Sequence, residues 1–310
     1  MANALTGVTE IDDLITQDGQ MQWGGMLLGE STPYVGVQLT GWDDLPDMAS
    51  GTVAMPTQHG AWPGELLAGV RVLTWDFRIL PRRIGDFPRL LSRLLAVTGV
   101  RQEEQPLVVQ LAGARRLLFA RVTRRALTAD RVYTRGEPTG TIVWEASDPR
   151  RYEVRRHVAR TGLPTPGEGL RWPLSWPLDW MRESPPTHVR RWSSPAAGRL
   201  VVVNTGDAPS HPVIEFRGPL LRPSLTDMDT GRVLEYATGL RRDDVLTVDT
   251  LAGTVLLNGV ESRLFTATPR STPERLFTLE PGTTRLLFNA EPGRFDPAAS
   301  ASIVWRSAHW

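Results

Sequence analysis

The clearest pattern along the chain is a strict alternation that starts at Gly69. In GVRVLTWDFRIL, Leu73, Trp75, Phe77 and Ile79 fall on one side, and Thr74, Asp76 and Arg78 on the other. A period of two predicts a strand with one buried face, because successive side chains leave opposite sides of the pleat. Arg71 shares the apolar side near the start of the strand. The period changes once. In DFPRLLSRLLAVTG, Leu90, Leu91, Leu94 and Leu95 recur at helical spacing, with Arg89, Ser92 and Arg93 opposite them. Asp86 is placed to cap this helix, Pro88 lies in its first turn and Gly99 lies beyond its end. A lone helix of this kind packs its stripe against a sheet.

The remaining apolar runs are short and separated by turn residues. Residues 1 to about 65 read as an irregular arm and the first strands, MQWGGMLLG and YVGVQLTGW. After the helix, PLVVQL and RLLFARV flank AGAR, a hairpin turn around Gly113. TIVWEAS stops at Asp148-Pro149, since proline lacks a donor and restricts the residue before it. From Gly198 onward, RLVVV, VIEFRG, PSLTDM, RVLEYA, DVLTVD, TVLLN, ERLFTL, TRLLFN and ASIVWR all have β character. Turns at Asp229-Thr230-Gly231, Asn258-Gly259 and Glu280-Pro281-Gly282 punctuate them. Short strands at a spacing of about ten residues predict an antiparallel sandwich or jelly roll.

The expected fold is therefore mainly β. An N-terminal β-sandwich or sheet with one helix spans 1–155, a connector spans 156–197 and a C-terminal antiparallel β-sandwich spans 198–310. The connector is dense in Pro and Trp. Trp172, Trp176, Trp180 and Trp192 are too apolar to stand in water as a group. Two readings stay open for them: they lie across their own domains, or they meet another subunit, where Trp is enriched.

Composition narrows the picture. The chain has 310 residues, of which 41% are hydrophobic and 22% charged, so both halves can build a core. Having no cysteine excludes disulfides and thiolate metal sites. No apolar run approaches the roughly 18 residues of a membrane span, and no basic start leads into an apolar core, so no secretory signal is expected. A net charge of +1 argues against a nucleic-acid binder driven by charge. All 35 basic residues are Arg. With abundant Ala, Gly and Pro, this reads as the codon usage of a GC-rich genome and not as chemistry.

The search for chemistry returns little. The five His, at 59, 157, 188, 211 and 309, lack zinc-motif spacing. With no Lys there is no phosphate-binding loop of the usual kind, and no Gly-x-Ser-x-Gly elbow occurs. Carboxylates cluster at Asp227 and Asp229, at Asp243 and Asp244, and at Asp249. Such pairs serve glycosidases or bind calcium, yet Asp227 and Asp229 flank a strand end and Asp243-Asp244 sits in a loop, where Asp bonds local backbone. Arg-rich RVTRR and RRYEVRR read as solvated or subunit-pairing faces. We expect no catalytic, cofactor-binding or metal-ligating residues. In VVVNTGDAPSHPVIEFRG, Asn204, Gly206 and Asp207 read as a turn closing one strand, with Asp207 bonding nearby backbone. Pro209 and Pro212 lead into the next strand, and His211 is an incidental neighbour.

That stretch also carries a resemblance. NTGDAPSHPVIEFRG, DTGRVLEY, RRDDVLTVDTLAGTVLLNG and FTLEPGTTRLLF, in this order, resemble the C-terminal domain of siphovirus distal tail proteins. The matching positions are Asn204, Gly206, Asp207, Pro209, Pro212, Gly218, Thr230, Gly231, Asp249, Asn258, Gly259, Pro281 and Gly282. In the N-terminal half, His59, Gly60, Gly64 and Arg71, and Asp148, Pro149 and Tyr152, resemble the family's strand entry and exit. Thr283 and Thr284 stand where the family often has Asn. The resemblance implies a galectin-like outer domain and a homo-hexameric ring at the distal tip of a long non-contractile tail. It implies as partners the tail tube protein, a tail-associated hub or lysin protein and receptor-binding proteins, in a virion made in the host cytoplasm. Two other readings stay open. One is a carbohydrate-binding tail component that stacks sugar on Trp305 or Trp310, and the other is a wall-degrading glycosidase using Asp227 and Asp229.

Overall fold

The computed structural model describes residues 14–164, 198–291 and 296–310. The chain forms two units. The first is Met1–Arg155 with Gly206–Ala208 and Arg306–Trp310; the second is Arg156–Thr205 with Pro209–Trp305. Trp172, Trp176, Trp180 and Trp192 lie outside the described residues.

In the first unit the elements run β1 (Gln20–Trp23), β2 (Met26–Gly29), β3 (Tyr34–Thr40), β4 (Met48–Ser50), β5 (Val53–Ala54), β6 (Ala61–Trp62), β7 (Leu66–Ala68), β8 (Arg71–Ile79), α1 (Phe87–Val97), β9 (Gln105–Leu111), β10 (Ala114–Leu127), β11 (Thr139–Ala146) and β12 (Arg151–Glu153). The main sheet has the order β2-β1-β9-β10-β11-β8-β3, with β12 beside β10 and the C-terminal strand Ala308–His309 beside β12. The long strand β10 turns this sheet into two layers. Ala114–Ala120 pair with β9 and Arg121–Leu127 pair with β11, with a register shift between Val122 and Arg124. A bulge bends a strand, so the two halves face one another. Trp23, Leu28, Leu107 and Val109 from one half meet Leu73, Trp75, Phe77, Ile142 and Trp144 from the other in a single core. Trp75 stacks on Phe77 at 4.7 Å, and Trp23 meets Trp144 edge-on at 5.9 Å.

Strand β8 has the alternation read from the sequence: Arg71, Leu73, Trp75, Phe77 and Ile79 are all buried. Helix α1 lays Leu94 in the core, with Leu90 and Leu91 packed partly against it, while Leu95 stays on the surface. Trp23 Nε1 donates to the Val97 carbonyl and the Tyr34 hydroxyl donates to that of Leu90, both at 2.9 Å, which ties the helix to the sheet. The expected Asp86 cap is not made. Asp86 ends a 3-10 turn, Ile84–Asp86, and has helical φ −80° and ψ −19°. A capping side chain needs extended backbone; Asp86 lies 3.8 Å from Arg89 instead.

The second unit contains β13 (His157–Gly162), β14 (Arg199–Asn204), β15 (Val213–Arg217), β16 (Leu220–Leu221), β17 (Ser224–Asp227), β18 (Val233–Glu235), β19 (Gly239–Leu240), β20 (Val245–Asp249), β21 (Thr254–Leu257), β22 (Glu261–Ser262), β23 (Gly282–Asn289) and β24 (Ser300–Trp305). Two antiparallel sheets, β13-β24-β15-β20-β21-β22 and β14-β23-β17-β18, form a sandwich. Ile214, Phe216, Leu246, Val248 and Ile303 of the larger sheet pack with Val202, Leu225, Leu234, Leu286 and Phe288 of the smaller.

Two expectations are corrected. The span expected to be connector from residue 156 opens as β13, which pairs with β24 along its whole length. A strand in that register is satisfied by a partner about 140 residues away and leaves no local signal. ERLFTL is not a strand: Glu274–Leu276 form a 3-10 turn after Pro273. Its buried Glu274 accepts the Tyr236 hydroxyl at 3.0 Å. Burial, reinforced by that carboxylate, raises the Tyr236 pKa.

Candidate assembly site

The feature of the first unit that its own core does not explain is a long hairpin. β4 pairs with β7, Met48 opposite Ala68, and β5 pairs with β6, Val53 opposite Trp62. Gly69 N donates to Asp47 O at 2.7 Å, Gly51 N to Glu65 O at 3.3 Å and Met55 N to Gly60 O at 3.1 Å, so the ladder continues from root to tip. Both strands lie in solvent. Met48 is 44% exposed, Val53 61%, Trp62 55%, Leu66 63% and Leu67 60%. Leu66 and Leu67 are adjacent in β7 and so leave opposite faces. Between Met48 and Ala68, Glu65 is the only acidic or basic side chain besides His59. An isolated two-stranded ribbon is marginal in water, and an apolar surface of this extent marks a place where a partner sits. The sequence places an irregular arm and the first strands here, with His59, Gly60 and Gly64 as the family's strand entry, but no exposed hairpin; the available signal is the near absence of charge from 48 to 68, where the chain as a whole has 22%.

A buried guanidinium holds the root of this arm. Arg71, 1% exposed, follows the arm directly and reaches back to the segment before it. Its Nη1 donates to the carbonyls of Gly41, Trp42 and Asp44 at 2.7, 3.0 and 2.7 Å, and its Nε donates to Pro149 O at 2.7 Å. Burial, and then the neighbouring Arg151, lower its pKa to about 10, which leaves it charged at neutral pH. Hydrogen bonds to a charged donor are the stronger kind, so one side chain fixes where the arm leaves the sheet. Asp148 completes the corner. It pairs with Arg150 at 2.7 Å and accepts the Tyr152 hydroxyl at 2.5 Å.

The motif residues of the second half do not converge on one point. In the second unit, Asn204 is the register partner of Gly282, which follows Pro281, and Asn204 Nδ2 donates to Leu279 O at 3.0 Å. The Pro212 carbonyl accepts the Thr250 hydroxyl at 2.8 Å. Gly218 donates its N–H to Asp244 O at 3.0 Å. Asn258 and Gly259, with φ of 52° and 74°, make the tight turn after β21; that backbone suits Asn-Gly. The Asn258 side chain accepts from Val245 N and donates to Asp244, at 2.9 and 3.0 Å.

In the first unit, Gly206 passes so close to Ala308 that a Cβ would overlap the carbonyl of that residue. Ala208, just before Pro209, donates to Ala308 O at 3.0 Å. Asp207 was expected to bond nearby backbone. It accepts the Trp310 amide at 2.9 Å instead, 103 positions away, because this short segment lies against the C-terminal strand and not in an independent turn.

The carboxylate clusters act as turn-formers. Asp227 accepts the amides of Asp229 and Thr230, and Asp249 accepts those of Leu251 and Ala252. Asp229 is occupied by Arg285, whose hydrogen bonds hold its pKa below the ordinary value. Trp305, weighed as a sugar platform, is 7% exposed and its Nε1 donates to Val203 O at 2.9 Å. Among the described residues no group of three metal-capable side chains occurs, and no helix is long and apolar enough to cross a membrane.

Residues 205–297 match the family described as siphovirus-type tail component, C-terminal domain. The fold of the chain matches the crystal structure of the SPP1 Dit (gp 19.1) protein, described as a paradigm of the hub adsorption apparatus in phages infecting Gram-positive bacteria. The TM-score is 0.61 at 13% identity, over 93% of this chain and 98% of that one. A chain of the phage P2 baseplate in its activated conformation with Ca matches at a TM-score of 0.48 and 10% identity, over 88% of this chain and 91% of that one. No curated protein matches the chain. The resemblance to siphovirus distal tail proteins holds, by sequence in the C-terminal domain and by fold over most of the chain.

Proposed function

We propose that this protein is a structural hub at the distal tip of a long non-contractile phage tail, where six copies close into a ring that joins the tail tube to tip or baseplate proteins. The observation that carries this reading is the arm of residues 47–69, apolar on both faces and exposed in the single chain. A ring needs a heterologous interface, one patch of each copy meeting a different patch of the next, and a protruding hairpin rooted by Arg71 supplies one side of it. The ring-forming part is residues 1–155, and residues 198–310 form the outer, galectin-like domain. The partners are further copies of the chain, the tail tube protein, a tail-associated hub or lysin protein, and receptor-binding proteins at the periphery. The protein resides in the virion after synthesis in the host cytoplasm, and its role is mechanical and not enzymatic.

Sedimentation and negative-stain imaging of the full chain test the reading. The expected particle is a ring of six times the 34.4 kDa chain mass. A chain that stays monomeric at high concentration and also fails to pair with the tail tube and hub proteins of its phage would overturn it.

A further inference from the structure

Charge is distributed unevenly along the first unit. Residues 78–101 contain six Arg and one acidic residue, Asp86, a net +5 in a chain of net +1. Residues 41–70 contain Asp43, Asp44, Asp47 and Glu65 and no Arg, a net −4 with His59 neutral. The fold puts these two stretches at opposite ends of one strand. Arg71 is the first residue of β8 and holds the carbonyls of Gly41, Trp42 and Asp44, so the negative stretch is rooted at that end. Ile79 is the last, and the chain then runs into Arg82 and Arg83. The 9 residues of the strand hold the two ends about 30 Å apart.

The positive end is an open surface. Arg82, Arg83, Arg89 and Arg93 are all exposed. Among the described residues no carboxylate pairs with Arg82, Arg83 or Arg93, and Arg89 has only Asp86, at 3.8 Å. By contrast Arg121, Arg150 and Arg151 of the same unit each have a carboxylate within 2.9 Å. Tyr34 is the register partner of Ile79. Burial raises its pKa and the nearby Arg93 and Arg89 act against that rise, which sets both arginines at this end of β8. Ile84, 76% exposed, and Leu80, 41%, stand among them. At the other end Asp47 and Glu65 are exposed and have no cation partner among the described residues. Leu45, two positions before Asp47, is 73% exposed.

We propose that the face formed by Arg82, Arg83, Ile84 and the outer side of α1 is the acceptor for the arm root of a second copy, with Arg82 and Arg83 of one chain facing Asp47 and Glu65 of the next, and Leu45 covering Ile84. The charges favour this occupant. Each copy offers one patch of each sign, and opposite potentials steer association and fix its register. Exposed ion pairs alone contribute little, and the apolar residue at the centre of each patch supplies the burial they lack. A contact between two unlike patches is heterologous and runs head to tail until it closes. This pairing rests on the hub reading, in which copies of the chain form a ring, and it names the surface that receives the arm.

Sedimentation velocity on the full chain tests it with wild type, Arg82→Glu/Arg83→Glu, Asp47→Arg/Glu65→Arg and the variant that carries all four substitutions. Wild-type rings are expected to weaken as sodium chloride is raised. Either double reversal sets like charges together and is expected to lower the association constant about tenfold or more. The fourfold variant restores opposite signs and is expected to assemble within about threefold of wild type. All four side chains are exposed, so the monomers are expected to melt alike. Rings unaffected by Arg82→Glu/Arg83→Glu, or a fourfold variant no better than either reversal, would overturn the pairing and leave the hub reading standing. Rings that survive that reversal but no longer bind the tail tube protein would give the face to that partner and so defeat the proposal. A particle of two chains that obeys the same charge exchange would defeat the head-to-tail arrangement. A wild-type chain that forms no ring at all would overturn the hub reading, and this pairing with it.

Discussion

Leu66 and Leu67 test the arm directly, because one pair of substitutions reaches both of its faces. They are 63% and 60% exposed in the single chain. Fully burying a leucine side chain contributes about 1.5–3 kcal/mol, so covering the exposed part of each contributes about 1–2 kcal/mol at an assembled interface. Replacing both with Asp removes that gain, and burying two carboxylates without partners costs several kcal/mol more. The sum is on the order of 5 kcal/mol per interface, a loss of roughly three to four decades in association constant. The chain itself should not notice, since surface substitutions usually stay within about 0.5 kcal/mol. Sedimentation velocity at micromolar concentration is expected to show Leu66→Asp/Leu67→Asp as a monomer while wild type forms rings; diluted until wild type is also monomeric, the two proteins are expected to melt within about 2 °C of one another. A double variant that forms rings as stable as wild type would refute the assignment of the arm to the interface.

Three further outcomes are expected. Arg71→Met leaves four carbonyl oxygens without their charged donor and is expected to cost about 3–5 kcal/mol; the urea midpoint checks the loss, and faster hydrogen exchange at residues 41–47 checks its location. Gly206→Ala forces a Cβ into the Ala308 backbone, which cannot swing aside as a side chain would; a cost of about 2–4 kcal/mol is expected, and an unchanged urea midpoint would refute it. Burial raises the Asp249 pKa above its ordinary 3.8, and its Oδ2 is buried without a hydrogen bond. The folded state therefore takes up this proton at a higher pH than the unfolded state, and the group's contribution to stability falls as pH rises from the ordinary carboxylate value through the raised one. Asp249→Asn keeps the Oδ1 acceptor and removes the titration. The stability difference between the two proteins should thus vary with pH above about 4, and a difference flat in pH would refute the reading.

Strand β8, helix α1, the hairpin at Gly113 and the Asn258-Gly259 turn were legible in the sequence because each is written in neighbouring residues. Alternation at 73–79 exposes one face to the core, leucines at helical spacing do the same for α1, and Asn-Gly tolerates the left-handed backbone found at both residues of the turn after β21. The Asp86 cap failed for an equally local reason, a preceding 3-10 turn that the pattern does not announce. ERLFTL failed because its alternating Phe277 and Leu279 reach the core from an irregular segment without a strand's ladder.

The sequence by itself thus determined the β-rich class, helix α1, the carboxylates as turn-formers and the family motif around Asn204. Tertiary structure decided the rest. The bend of β10 follows from which strands pair with its two halves, and the role of Asp207 from the return of the chain's last residues to the first unit. The grip of Arg71 on Gly41, Trp42, Asp44 and Pro149, and the solvent on both faces of the arm, are likewise properties of the folded chain. Periodicity records which way a side chain points, but the identity of its distant neighbour is set only when the closure of long loops is offset by the packing of a complete core.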